Sequence, residues 1–230
     1  MELKRFSLKE KLSSDPASTI LIVGSRRTGK TFYGVYLVNA IKPLYSLIIV
    51  FTHSKINKEW DRVVEDEMIF GHYDPDIIKL IVKRNKMIIK KCPDINPNVL
   101  IIFDDVLDDK SLKTDKMLEM LFTRGRHLHI GVIFSTQYLN AVSKTVRVNT
   151  DIVIVTIQNN LQALDILYES YGIIKKNDFI NLINEYTQNH MVFVIRNDKL
   201  SNKPQIKYQW DKAISLKKKN ASIPFLEKDN

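Results

Sequence analysis

Residues 19–31 read Thr19-Ile20-Leu21-Ile22-Val23-Gly24-Ser25-Arg26-Arg27-Thr28-Gly29-Lys30-Thr31. The first five form an apolar run of strand length, and 31–41 carries helical patterning. Between them, Gly24 to Thr31 fits G-x-x-x-x-G-K-[ST], a pattern that carries meaning only when a strand precedes it and a helix follows. The two glycines let backbone N–H groups converge on a phosphate, and the helix N-terminus adds the positive end of a dipole. Lys30 is expected to bridge the β- and γ-phosphates of ATP, and the Thr31 hydroxyl to hold Mg²⁺. Gly24, Ser25, Arg26, Arg27, Thr28 and Gly29 complete the candidate nucleotide loop. Arg26 and Arg27 occupy its variable positions, which face solvent or a neighbour.

Outward from this loop, apolar strands alternate with amphipathic helices. Strands are expected over 19–23, 46–51, 98–103, 130–135, 151–156 and 190–196, with an edge strand over 205–210. Continuous runs such as Val99-Leu100-Ile101-Ile102-Phe103 suit strands buried on both faces. The implied fold is α/β with three layers: a mostly parallel central sheet, helices on both faces and an antiparallel edge near the C-terminus. One domain over 1–215 and a basic, mobile tail over 216–230, with Lys217-Lys218-Lys219, account for the chain. The stretch 74–91 reads as a helix opened by Asp74-Pro75, with Ile78, Ile81, Val82, Ile88 and Ile89 on one arc. Lys79, Lys83, Lys86 and Lys90 line the opposite face. That stripe reads first as a solvated helix face and second as a track for a phosphate backbone.

The bulk numbers bound these readings. The chain has 230 residues, is 44% hydrophobic and carries a net charge of +9, from 35 basic and 26 acidic residues. A basic balance favours a polyanionic partner such as nucleic acid. The longest apolar runs are strand-length, so no membrane span is expected, and 1–11 lacks the apolar core of a signal peptide. Cys92 is the single cysteine, which excludes an internal disulfide and suits a reducing compartment. His127 and His129 are two apart, but no acidic residue beside them suggests a metal site.

A second motif follows the first. Asn98-Val99-Leu100-Ile101-Ile102-Phe103-Asp104-Asp105 is an apolar strand ending in an acidic pair, the form of a Walker B motif. Asp104 is expected to hold Mg²⁺, and Asp105 to orient or deprotonate the attacking water. Binding alone needs no second carboxylate, so the pair points to hydrolysis. Asp108 and Asp109 read as loop residues. A helix is expected over 113–122, followed by Thr123-Arg124-Gly125-Arg126-His127 and the strand 130–135, which runs into Thr136-Gln137. Gln137 fits a sensor of the γ-phosphate at a strand tip. Arg124, Arg126 or Arg147 is the candidate finger, a guanidinium that stabilises transition-state charge, often in a neighbouring subunit's site. The charged segment 144–149 is expected on the ligand-facing edge of the sheet.

Taken in order, the phosphate loop, the Asp104-Asp105 pair, Arg124-Gly125-Arg126-His127, Ser135-Thr136-Gln137 and the Lys-x-x-Arg-x-Asn segment resemble the genome-packaging ATPases of poxviruses, other large DNA viruses and virophages. These are FtsK–HerA superfamily motors. The resemblance covers 19–156 well and rests beyond that on helix–strand pattern. It implies ATP and Mg²⁺ on Gly24 to Thr31 and Asp104, catalysis by Lys30 and Asp105, Gln137 as sensor and a trans-acting arginine. It further implies a pentameric or hexameric homo-oligomeric ring around double-stranded DNA, docked on a capsid or portal-type vertex. The setting would be the virion or the host-cell cytoplasm at assembly sites, or the host nucleus. No nuclease domain is expected, since the chain ends soon after the motor core.

Three other readings compete. A GTPase needs Asn-Lys-x-Asp, and Asn202-Lys203-Pro204-Gln205 lacks the aspartate. A small-molecule kinase would need an arginine-bearing lid, for which 161–188 is the one stretch to search. A helicase or DNA-segregating translocase shares the same motor chemistry.

Overall fold

The computed structural model describes residues 1–53, 58–92, 94–106, 115–198 and 203–214. Its strands are β1 (Thr19–Val23), β2 (Leu47–Thr52), β3 (Ile69–Phe70), β4 (Val99–Asp104), β5 (Ile130–Thr136), β6 (Ile152–Val155), β7 (Met191–Arg196) and β8 (Tyr208–Lys212). Among the described residues they form one sheet in the order β3-β2-β4-β5-β1-β6-β7-β8. All pairings from β3 to β6 are parallel, and the β6–β7 and β7–β8 pairings are antiparallel. The expected α/β architecture and its antiparallel C-terminal edge are therefore both present. β5 lies between β1 and β4, so the phosphate-loop strand and the Walker B strand do not touch.

The helices are α1 (Leu8–Ser14), α2 (Lys30–Ile41), α3 (Pro75–Lys91), α4 (Lys116–Arg124), α5 (Lys144–Val148), α6 (Leu161–Tyr171), α7 (Lys176–Tyr186) and the single turn α8 (Pro204–Lys207). Strand alternation divides the core in two. Leu21, Val23, Ile101, Phe103, Val132 and Phe134 face α3 to α7, whereas Ile20, Ile22, Leu100, Ile102 and Ile133 face α1 and α2. All six residues of β4 are buried, as a strand with helices on both sides requires. Side chains cap the helix starts: Asp74 accepts from the Asp76 amide of α3 and Asp115 from the Leu118 amide of α4.

Several local expectations need correction. The last strand starts at Tyr208, because Pro204 opens a helical turn where 205–210 was read as extended. Ile89 is exposed rather than in the core, and the buried arc of α3 is Ile78, Ile81, Asn85 and Ile88. The described part of the helix expected over 113–122 runs to Arg124. Segment 144–149 contains α5 and ends at the edge opposite the phosphate loop. There the Asn149 carbonyl accepts from Thr19 Oγ1, 2.9 Å away at the start of β1. Asp108, Asp109, Asn202 and the tail 216–230 lie outside the described residues. The segment before α1 was not foreseen as part of the sheet, yet Arg5 bridges Trp210 of β8.

Asn85 is fully buried in the middle of α3. Its amide donates to the carbonyls of Pro97, at 2.9 Å, and Leu128, at 2.6 Å, which ties α3 to the turns entering β4 and β5. Removing it leaves two half-buried carbonyls without their donor, each worth about 1–3 kcal/mol. Asn85→Ala should therefore lower stability by about 2–5 kcal/mol in urea unfolding, whereas Lys86→Ala, one residue away and exposed, should change it little.

Candidate functional site

The three parallel strands β1, β4 and β5 end at one edge, and the loop that follows β1 turns there into α2. Gly29, at φ 88°, makes the left-handed turn into the helix, and Arg27 is also left-handed at φ 61°. Gly24 has a different reason to lack a side chain. A Cβ there would fall 1.6 Å from Thr156 Oγ1. Thr156 follows β6 and meets the loop from the side: its hydroxyl lies 2.6 Å from Thr28 Oγ1. Thr28 Oγ1 in turn donates to the Ser25 carbonyl at 2.7 Å, so Thr156 is the donor of the pair. Backbone bonds from Gly24 to the Thr136 carbonyl and from Ser25 to the Ile157 carbonyl fix the loop to both neighbours of β1.

Lys30 is buried, and its Nζ donates to the Gly24 and Ser25 carbonyls, both at 2.9 Å. Burial pushes its pKa down, against Asp105 and Asp104, which hold it up. Thr31 Oγ1 donates to Asp104 Oδ2 at 3.0 Å. The two residues expected to hold Mg²⁺ are thus in contact.

Asp104 is 2% exposed. Its Oδ2 accepts from Thr31 and from the Trp60 indole N–H, at 3.0 Å, while Oδ1 is buried without a partner. An unsatisfied carboxylate oxygen beside a threonine hydroxyl suits a hard, oxygen-seeking cation, so the donor set fits Mg²⁺. Burial raises the Asp104 pKa, opposed by the Trp60 N–H, by the hydroxyl of Ser135, its cross-strand neighbour on β5, and by the Thr31 hydroxyl.

Asp105 begins the turn after β4 in a left-handed conformation, φ 54°, which aspartate tolerates better than most residues. Its carboxylate is exposed, and both oxygens accept from Gln137 Nε2, each at 3.1 Å. The expected catalytic carboxylate and the expected sensor are therefore directly paired across the ends of β4 and β5. A cleft of about 300 Å³ is lined by Arg26, Arg27, Lys30, Thr31, Asp104, Asp105 and Gln137.

The candidate finger arginines do not join this cluster in their own subunit. Arg124 ends α4, and Arg126 lies in the turn that enters β5, at the opposite edge of the sheet. Arg126 pairs there with Asp15, at 3.0 Å, and Asp151, at 3.2 Å. Arg147 is on α5, whose exit also lies at that edge. Trp60, Thr156 and Glu59, which also lines the cleft, were not singled out from sequence. A tryptophan in a polar neighbourhood signals a bonded N–H but not its partner.

This fold and site define the class of P-loop nucleotide-binding proteins in which a strand separates the phosphate-loop strand from the Walker B strand. Within that class the chain belongs to the family described as Poxvirus A32 protein, whose model matches residues 3–228. The resemblance read from the motifs is thereby confirmed. The chain is 29% identical over 163 residues to protein 075L of Invertebrate iridescent virus 6, covering 69% of this chain and 62% of that protein. It is 24% identical over 208 residues to protein 015R of Frog virus 3, covering 90% and 64% respectively. It thus spans less than two thirds of the length of either relative. Among solved structures, B204, the DNA-packaging ATPase of Sulfolobus Turreted Icosahedral Virus, shares the fold with a TM-score of 0.62 at 16% identity, over 87% of this chain and all of B204. The pCW3 conjugation coupling protein TcpA shares it at 0.60 and 13%, over 86% and 60%.

A carboxylate whose pKa is raised by burial costs stability once ionised. That cost is absent below its unfolded value, near 3.8, and develops as pH rises through the folded value. Asp104→Asn keeps the volume and an acceptor for Trp60 while removing the charge. It should raise the metal-free melting temperature at neutral pH, by roughly 2–4 °C per kcal/mol relieved. The gain should shrink as the scan is repeated at pH values falling toward 3.8.

Proposed function

We propose that this chain is an ATP-hydrolysing motor that, as an oligomeric ring, translocates double-stranded viral DNA into a preformed capsid. Membership in the Poxvirus A32 family supports the viral packaging class. The observation that carries the hydrolytic reading is the Asp105–Gln137 pair set beside Lys30, Thr31 and Asp104 at one strand edge. In this reading ATP lies along the Gly24–Thr31 loop. Its phosphates draw Lys30 Nζ from the Gly24 and Ser25 carbonyls, and backbone N–H groups at the start of α2 take the remaining charge. Thr31 and Asp104 would hold Mg²⁺, which supplies charge neutralisation at the phosphates. Asp105 takes a proton from the attacking water, and Gln137 keeps the carboxylate aimed and reports the γ-phosphate.

Arg124, Arg126 and Arg147 sit away from their own subunit's cleft, an arrangement that suits a finger offered to a neighbour's site. A pentameric or hexameric ring docked on a capsid or portal-type vertex is part of the same reading. The net charge of +9 suits a DNA partner. Among the described residues no helix is long and apolar enough to cross a membrane, and assembly sites in the host cytoplasm are the proposed setting. The kinase alternative loses its candidate lid. The stretch 161–188 contains no arginine, and its helices α6 and α7 bury Leu164, Leu167, Phe179 and Ile183 in the core.

ATP turnover measured with and without long duplex DNA tests the reading. Duplex DNA should stimulate turnover, and added salt should weaken the effect steeply. Turnover that requires a small phosphate acceptor and ignores DNA would overturn it. Asp105→Asn should bind nucleotide normally yet lose turnover by about 10²–10⁴-fold in a steady-state assay. A loss of binding instead would remove Asp105 from its catalytic role. Mixed rings of Asp105→Asn and Arg124→Ala or Arg126→Ala subunits should regain activity over either parent ring, and no regain would exclude that arginine as a trans finger.

A further inference from the structure

Trp60 has no place in the motif logic, yet it is the residue most closely bound to the Walker B carboxylate apart from Thr31. It stands 4% exposed on the connection after β2, and its indole N–H donates to Asp104 Oδ2 at 3.0 Å. The turn that carries Trp60 is closed by the amides of Val63 and Val64, which both donate to the Trp60 carbonyl at 2.9 Å. The strand it leaves, β2, is in register with β4, with Thr52 opposite Asp104.

The phosphate-loop helix makes room for the ring. A Cβ on Gly34 of α2 would stand 3.1 Å from Trp60 Cη2. Glycine inside a helix costs about 1 kcal/mol relative to alanine, so α2 gives up helical stability at the point where the indole passes. Thr31 at the start of α2, Gly34 one turn on and Asp104 at the end of β4 thus all meet one side chain or its bonding partner.

Two donors hold Oδ2, Oδ1 has no partner within hydrogen-bond distance, and the Ser135 hydroxyl lies beside the carboxylate on β5, so Asp104 cannot rotate without breaking a bond to a buried indole. We propose that Trp60 is the positioning residue of the metal site: its N–H pins Asp104 through Oδ2 and keeps Oδ1 as the oxygen offered to Mg²⁺. This rests on the reading of the cleft as a Mg²⁺–ATP site. Such outer partners of ligating carboxylates are typically worth 10–100-fold in metal affinity.

Trp60→Phe keeps an aromatic ring and removes the donor. Nucleotide affinity of the full chain in EDTA, followed with a fluorescent ATP analogue, should stay at the parent value. The Mg²⁺ concentration at half-maximal turnover should rise about 10–100-fold, and kcat should recover at saturating Mg²⁺. A filler of space would change all three together or none. An unchanged Mg²⁺ midpoint would overturn the proposal. Should Trp60→Phe fail to fold, Trp210→Phe leaves Trp60 as the sole indole of the two in the chain. Its emission should then change when Mg²⁺ is added to the nucleotide-loaded protein and stay constant when nucleotide is added in EDTA; no change on adding Mg²⁺ would overturn the proposal. Failure of the parent protein to bind nucleotide would overturn both readings, whereas binding with a midpoint indifferent to Trp60→Phe would overturn this one alone.

Discussion

Asp104 carries an ionisable carboxylate at 2% exposure, at the end of a strand covered on both faces, with both of its donors on one oxygen. Burying a charge in such a place is unfavourable unless something compensates it. Here the compensation comes from three groups in two separate parts of the fold. The start of α2 provides a hydroxyl, the connection after β2 provides an indole, and Lys30 provides a positive charge nearby. Each can arrive only because β1 and β4 are parallel and end at the same edge, with β5 holding them one strand apart. The layered architecture is in this sense a means of bringing three groups from two distant stretches of sequence to one carboxylate.

The same edge logic separates two kinds of positive charge. Lys30 is buried within the cleft, whereas Arg126 is half-exposed at the far edge and committed to Asp15 and Asp151. Asp151 also accepts from the Thr19 amide at the start of β1. The far edge is therefore wired to the same strand that carries the phosphate loop at its other end.

The sequence made this site legible where chemistry is local. Gly24 to Thr31 announces its conformation through glycine spacing, and Asp104-Asp105 announces itself by ending an apolar run. Gln137 is readable because a strand of known direction must deliver its last residue to the same edge. Trp60 and Thr156 were not legible, because their partners lie far away in the chain and nothing in a linear pattern names them. Asn85 drew no reading for a related reason: nothing in a linear pattern shows the two turns that a polar residue inside an amphipathic helix bridges. Segment 144–149 was placed at the wrong edge because its charge suggested a ligand, whereas its short helix carries the chain back to where β6 must begin.

Gly24 and Thr156 have a further consequence. One position lacks a Cβ, and the other places its hydroxyl in the space that Cβ would fill, 1.6 Å from the ideal position. They constitute one steric unit at the ends of β1 and β6: Gly24 cannot gain a side chain while Thr156 keeps its hydroxyl in that space. Across related chains, a side chain gained at the Gly24 position should be matched by a smaller residue at the Thr156 position. The first glycine of the phosphate loop is thus tied to the residue that follows β6 as much as to its own turn, so the identity of a residue outside the motif limits what the motif itself can become.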